Sequence, residues 1–240
     1  MPSAVILSPM PEAPAIAEMF SGIAPRYDLA NHVLSLGLDF GWRRRLVRAV
    51  AAMHPKRVAD LATGSGDVAF ALKRALGEKV EVRGLDFCTP MLATAERKKA
   101  ARPWARDIVF APGDCLNLPL ADNSQDALTI AWGVRNLADR ARGFAEMRRV
   151  LRPGGRLYVL DNSQPEGWTR PFSRFYMNTI VPVAGGLLTG QPGAYRYLAT
   201  STAAFPSRAA LAAEMQTAGF VQVRREALAC GMVALHEAVK

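Results

Sequence analysis

The run Val58 to Asp67, VADLATGSGD, constrains the fold more than any other part of the chain. Its apolar start, Val58 to Leu61, has the length and composition of a buried strand. Thr63-Gly64-Ser65-Gly66 follows as a glycine turn, and Val68 to Leu76 as a helix-favouring segment. Glycine lets the backbone bend sharply and approach a ligand at the end of the strand, so the three pieces in this order read as the first unit of an open α/β sheet. Taken literally, Gly64 to Ala69 fits the dinucleotide spacing G-x-G-x-x-G/A, with Asp86 at the distance expected of an acid that holds a ribose.

Charge chooses between cofactors on this turn. A pyrophosphate needs bare amides at a helix N-terminus and no carboxylate beside them. Here Asp67 stands where the pyrophosphate would lie, and Asp60 is on the strand beneath. A cofactor that brings a cation fits better, and S-adenosylmethionine brings an ammonium and a sulfonium. The plainer alternative for Asp67 is a helix cap that favours the positive end of the dipole.

The same unit then repeats. Val80 to Leu85 alternates as a second strand ending at Asp86, followed by a helix from Pro90 to Ala101. Asp107 to Ala111 reads as a third strand ending in Gly113-Asp114-Cys115, and Ala127 to Ala131 as a fourth ending in Trp132-Gly133. An amphipathic helix, Arg140 to Leu151, stops at Pro153-Gly154-Gly155, which turns the chain into a fifth strand, Arg156 to Leu160. Ser207 to Ala218 is a further helix, and Val221 to Ala227 with Met232 to Val239 an antiparallel edge. This alternation predicts a doubly wound, mostly parallel, seven-stranded α/β sheet of Rossmann-like type, whose ligands bind at the carboxyl ends of the strands. Asp67, Asp86, Asp114 and Trp132 all fall at such ends.

Two stretches break the pattern. Residues 16–50 read as an N-terminal helical cap, with loops at Gly22 to Asp28 and Ser35 to Gly41; Tyr27, Asp28, Asn31 and Ser35 within it do not look like core. Residues 165–205 are rich in aromatics and glycine and read as an inserted cap, of the apolar kind that borders pockets for greasy ligands. The proline-rich residues 1–15 are expected to be a flexible tail, and residues 16–240 a single domain. No stretch approaches the length of a membrane span, and the scattered Cys88, Cys115 and Cys230 form no C-x-x-C pair, so a cytoplasmic protein is expected. A net charge of +9 suits an anionic partner, nucleic acid or lipid head groups, or else simply a solvated basic surface. His32, His54 and His236 lack ligand spacing, and no metal is expected.

Seven segments go further than the fold. They are YDLANHVLSLG from Tyr27, DLATGSGD, GLD ending at Asp86, GVRN at Gly133 to Asn136, RVLRPGGRLYVLDNS from Arg149, YRYLATS from Tyr195 and VALH from Val233. Together they resemble the ubiquinone/menaquinone biosynthesis C-methyltransferases, a family of class I S-adenosylmethionine-dependent methyltransferases, over nearly all of Phe20 to Lys240. The resemblance implies a cofactor site made of Asp60, Thr63, Gly64, Ser65, Gly66, Asp86, Asp114 and Cys115. Ala131 would contribute through its backbone, where the family usually has serine. It implies methyl transfer to a ring carbon of a reduced prenylated quinone. Arg135 would stabilise the phenolate, Asn136 would orient the ring oxygen or a water, Tyr27, Asp28 and Asn31 would close the pocket from the N-terminal side, and Tyr195 and Tyr197 from the cap. Departures fall at Ala30, Asp39 and Asp161-Asn162, where the family usually has methionine, histidine and a Glu-Phe pair; Ala30 and Asn162 would alter pocket volume and polarity.

The rival readings are a class I methyltransferase for another small aromatic or lipid-like acceptor, a nicotinamide oxidoreductase, a nucleic-acid methyltransferase and a non-catalytic assembly subunit. The fourth strand ends in AWGVRN rather than the Asn-Pro-Pro-aromatic type of run that grips an extruded base, so no nucleic acid is expected. Peripheral contact with an anionic membrane at its inner face is expected of a prenylated acceptor, and a homodimer stays open.

Overall fold

The computed structural model describes residues 27–165 and 167–240, so the expected tail and the first part of the N-terminal cap lie outside the described residues. Seven strands, β1 (Arg57–Leu61), β2 (Glu81–Asp86), β3 (Val109–Pro112), β4 (Gln125–Ala131), β5 (Leu151–Asn162), β6 (Val221–Leu228) and β7 (Val233–Val239), form one sheet of order β3-β2-β1-β4-β5-β7-β6. The first five run parallel, and β7 pairs antiparallel with both β5 and β6. The order reverses between β1 and β4, and this reversal opens the crevice in which such sheets hold ligands.

Nine helices stand around the sheet among the described residues: α1 (Tyr27–Leu34), α2 (Leu38–Ala51), α3 (Asp67–Leu76), α4 (Thr89–Ala100), α5 (Arg140–Val150), α6 (Arg170–Phe175), α7 (Val181–Thr189), α8 (Pro192–Ala204) and α9 (Arg208–Thr217). The period of two along each strand sends successive side chains to opposite faces. Val58, Ala127, Tyr158 and Leu235 pack under α2 and α3, against Leu46, Val50 and Leu72. Their neighbours Ala59, Leu128, Leu157 and Ala238 face Phe144 and Met147 of α5 and Leu211 and Met215 of α9. Each large side chain so buried contributes roughly 1.5–3 kcal/mol. Two helices start at side-chain caps: Asp139 accepts from the Arg142 N–H at 2.9 Å and Ser207 from that of Ala210 at 3.3 Å.

Three local expectations change. The fifth strand starts at Leu151, which pairs with Gln125; Pro153-Gly154-Gly155 then bulges, and Arg156 rejoins opposite Ala127, so the Pro-Gly-Gly run lies inside the strand and not before it. Helix α1 begins at Tyr27, inside the expected loop Gly22 to Asp28. The next loop shrinks to residues 35–37 because Asp39, in the first turn of α2, is held by Ser35 Oγ at 2.7 Å and by His32 Nδ1 at 2.7 Å.

The expected inserted cap is helical. Helix α6 passes into α7 through one π-helical turn, Tyr176–Ile180, and α8 folds back on α7, where the Tyr195 ring occupies the space a Cβ on Gly185 would need. Ala30 of α1, Val181, Ala194 and Tyr195 form one small core, so α1 and the inserted helices pack as a single roof. Among the described residues no helix is long and apolar enough to cross a membrane.

Candidate functional site

A cavity lies under this roof at the carboxyl ends of β1, β2 and β4. Its floor is the glycine turn. Gly66 takes φ +86°, and a Cβ there would meet Phe110 and Phe70 at 2.8 and 2.9 Å, so only glycine lets the turn lie this close to the sheet. Two non-glycine residues in the cavity wall also take left-handed backbone: Ala62 after β1 at φ 49° and Trp132 after β4 at φ 60°. Strain of this kind, on adjacent strands and facing one cavity, is typical of a ligand site.

Three carboxylates define the electrostatics. Asp86 accepts the Gly64 N–H at 2.7 Å and the Cys88 N–H at 2.8 Å, tying the glycine turn to the start of α4. Its burial raises it above the usual carboxylate range against the pull of those two amides. Asp60 is the register partner of Thr129 and accepts hydroxyls from Thr63 at 2.6 Å and Thr129 at 2.7 Å. Burial pushes the Asp60 carboxyl up to about 7; the threonine hydroxyls oppose this and the Asp86 charge adds to it. Asp67 is different. It begins α3 without capping it, and forms ion pairs with Lys98 at 2.7 Å and Arg43 at 3.3 Å. Burial works to raise Asp67, but Lys98 and Arg43 together hold it below its ordinary value. On this turn Asp67 is thus already ion-paired, whereas Asp60 makes no ion pair among the described residues.

Of the residues expected to hold the cofactor, Asp60, Thr63, Gly64, Ser65, Asp86 and Ala131 line the cavity, joined by Phe87, Cys88 and Met91. Gly66 shapes the turn from behind. Asp114 is exposed on the loop after β3, where it accepts the Leu116 N–H at 2.8 Å. Cys115 is buried in the sheet core, not on the cavity wall, and burial, reinforced by Asp86 and Asp114, pushes its thiol up to about 12. The donor set suits S-adenosylmethionine: buried carboxylates for a ribose and a cation, with apolar Phe87 and Met91 beside them.

On the acceptor side, Arg135, Asn136 and Asn31 line the cavity. Arg135 Nη1 donates to Asp161 Oδ1 at 2.7 Å, with side chains only 6% and 1% exposed. Its charge is thus balanced inside the protein, which the expectation of a lone cation beside a phenolate did not include. Asp161, noticed in the sequence only as a departure, is the missed partner, and 26 positions separate the two. Tyr197 donates to Asn136 Oδ1 at 3.2 Å, positioning the amide and not closing the cavity itself. Tyr195 is 3% exposed in the roof core and does not line the cavity, because its ring fills the gap over Gly185. Ala30 is likewise roof core, so its small size alters the roof and not the pocket. Asn162 does line the cavity and donates to Thr202 Oγ1 at 2.8 Å. Tyr27 and Asp28 open α1, and their side chains lie outside the described part of the structure.

One network of contacts escaped the sequence reading, although Asp67, Asp39 and His32 were each noticed singly. From His32, which is hydrogen-bonded to Asp39, a continuous chain of ion pairs runs through Asp39, Arg43, Asp67 and Lys98 beside the cavity, with Lys98 also donating to Ser65 Oγ at 2.9 Å. The far wall is apolar, made by Tyr176, Met177, Val181 and Leu198 of the roof and Val233 of β7.

The chain matches the ubiE/COQ5 methyltransferase family over residues 10–240. It is 50% identical over 220 residues to the demethylmenaquinone methyltransferase of Thermus thermophilus, covering 91% of this chain and 98% of that one. It is 43% identical over 208 residues to the ubiquinone/menaquinone biosynthesis C-methyltransferase of Geobacter sulfurreducens, covering 85% and 80%. Among solved structures, an S-adenosylmethionine-dependent methyltransferase of Thermotoga maritima superposes with a TM-score of 0.64 at 18% identity, over 93% of this chain and 99% of that one, a likeness of fold.

Proposed function

The chain belongs to the ubiE/COQ5 methyltransferase family, and from that premise we propose that its acceptor is a reduced prenylated quinone, a demethylmenaquinol or a related benzoquinol, methylated on a ring carbon beside a hydroxyl. It is an S-adenosylmethionine-dependent methyltransferase. The observation that carries the acceptor reading is the two-sided cavity, acidic at the glycine turn and apolar beneath the roof. A cationic, sugar-bearing cofactor suits the first side and a greasy ring the second. When bound, S-adenosylmethionine supplies an electrophilic methyl on a sulfonium.

The chain's own residues do the rest. Asp86, already held by two amides, has lone pairs left for both ribose hydroxyls, and Asp114 can take the adenine amino group. Asp60 lies where a ligand cation is best balanced. A phenol with a reference pKa near 10 is a poor carbon nucleophile at neutral pH, so the site must favour the phenolate. Arg135 provides directed N–H groups from a guanidinium that Asp161 holds in place, so its contribution is a fixed hydrogen bond rather than a bare charge. Asn136, held by Tyr197, orients the ring oxygen or the water that removes its proton. The roof excludes water from the transfer, which loses charge as it proceeds and so gains from a dry site. A prenylated acceptor resides in the bilayer, so the protein meets it at the membrane surface.

The test is methyl transfer from labelled S-adenosylmethionine to a panel of anaerobically reduced, short-chain demethylnaphthoquinols and benzoquinols. Turnover with a product methylated on carbon is expected for at least one of them. Transfer to none of the panel, with cofactor binding intact, overturns the acceptor reading.

A further inference from the structure

The roof has an outer face that the chemistry leaves unused. Along the 3₁₀ turn Gly167–Thr169, α6, the π-helical turn and α7, the side chains of Trp168, Phe172, Phe175, Ile180, Val183 and Leu187 are 80%, 69%, 61%, 40%, 60% and 83% exposed. The spacing is helical, so they form one outward row. Exposed apolar side chains gathered on one face in this way mark an interaction surface. Arg170 and Arg174 stand exposed within it and have no ion partner among the described residues. From residue 167 to residue 213 the chain carries four arginines and neither Asp nor Glu. Whatever covers this face must therefore be both apolar and anionic.

We propose that this outer row is a membrane-docking face, whose aromatic and aliphatic side chains enter the head-group region of an anionic bilayer while Arg170 and Arg174 meet the lipid phosphates. A bilayer surface presents negative charge and hydrocarbon within a few ångströms of each other, which an amphipathic helix lying in the interface uses directly. The inward side of the same segment adds the second reason. Tyr176, Met177 and Val181 line the cavity, so one helical rod has the active site on one side and lipid on the other. A prenyl tail could then run from the cavity to the bilayer around a single helix. This inference rests on the prenylated acceptor proposed above, and the measurement separates the two.

The full-length chain is mixed with vesicles of neutral phosphatidylcholine, with and without phosphatidylglycerol, some carrying a brominated lipid that quenches tryptophan. Binding to the anionic vesicles, with quenching of Trp168, is expected. Phe172→Ser/Leu187→Ser should lower the partition coefficient at least about tenfold on both vesicle types, through lost apolar burial. Arg170→Glu/Arg174→Glu should lower it about tenfold on the anionic vesicles alone, and Trp168→Phe should remove most of the quenching while binding persists. Turnover on a short-chain quinol should be unchanged in every variant, which also shows that each is folded. Four results overturn the docking face: no binding by the wild-type chain; binding that none of the variants affects; a dimer, in sedimentation, that the Phe172/Leu187 variant dissociates, since a second copy would then cover the row; and stronger binding after removal of residues 1–26, which would make that segment the natural cover. Loss of short-chain turnover in the wild type would sink the acceptor reading instead and leave the vesicle result standing on its own.

Discussion

Replacing Arg135 by methionine separates two roles that its position combines. The guanidinium pairs with Asp161 at 2.7 Å, the side chains being 6% and 1% exposed, so the single variant leaves a carboxylate in the interior without its counter-ion. Breaking a buried pair from one side costs about 3–5 kcal/mol. Asp161 keeps the Asn162 N–H at 2.8 Å and the main-chain N–H of residue 135 at 3.3 Å, which places the expected loss near the lower end. For a chain of this size about 1 kcal/mol moves Tm by about 2–4 °C, so a drop of about 6–12 °C is predicted. The double variant Arg135→Met/Asp161→Leu removes both charges and should recover most of that drop, because a well-packed apolar pair is often as stable as the ion pair it replaces. Turnover should behave differently. A preorganised donor to the ring oxygen is worth about 100-fold to 1000-fold, and that loss should appear in single and double variants alike, with cofactor affinity little changed. The assay is thermal denaturation beside anaerobic turnover on a short-chain quinol, with calorimetric titration of the cofactor. Recovery of turnover together with Tm in the double variant would refute the catalytic role and leave Arg135 structural. An unchanged Tm in the single variant would refute the energetic reading of the pair.

Asp86→Ala should weaken S-adenosylmethionine binding by about 2–3 kcal/mol in a calorimetric titration, the loss of charge-assisted hydrogen bonds; unchanged affinity in a folded variant places the ribose elsewhere. Asp60, pushed up to about 7 by burial, is partly protonated at neutral pH, and a cation beside it favours its ionised form. Cofactor affinity should therefore fall as pH drops through about 7, by up to about tenfold per pH unit, with proton release on binding; Asp60→Asn should abolish the slope, and a flat wild-type profile from about pH 6 to about pH 8 removes Asp60 from the cation's surroundings. Tyr197→Phe deletes the 3.2 Å bond to Asn136 and should reduce turnover about 3-fold to 10-fold without moving cofactor affinity, the worth of one ordinary hydrogen bond; unaltered turnover would mean that Asn136 needs no such support.

What could be read in advance was what depends on local spacing. The glycine turn, Asp86 at the end of β2 and the alternation of strands with helices are all short-range patterns, and they locate the sheet's carboxyl edge without any knowledge of packing. Partners distant in sequence were not legible. Nothing near Arg135 announces Asp161, and the polar chain from His32 to Lys98 draws on α1, α2, α3 and α4. The two tyrosines of the YRYL segment show the same limit: two positions apart on α8, they point differently, Tyr195 into the roof core and Tyr197 towards Asn136, and only the place of Gly185 decides which is which. Asp67 shows the same limit: its sign was legible, but its two cationic partners come from other helices.

The π-helical turn between α6 and α7 acts as a phase setter. Along the outer row the steps are four from Trp168 to Phe172, three to Phe175, five to Ile180, three to Val183 and four to Leu187, and the step of five spans the widened turn, Tyr176–Ile180. One extra residue there offsets everything downstream by about 100° relative to an uninterrupted α-helix. Without it the exposed side chains of α7 would rotate away from those of α6, and Val181 would leave the cavity wall. Deleting Asn178 should restore ordinary α-helical winding and scramble both faces at once, although it removes no side chain of the outer row. In this rod the position of an insertion, more than the identity of any one residue, aligns two surfaces facing opposite ways, so lineages that vary its composition freely are expected to hold its length constant.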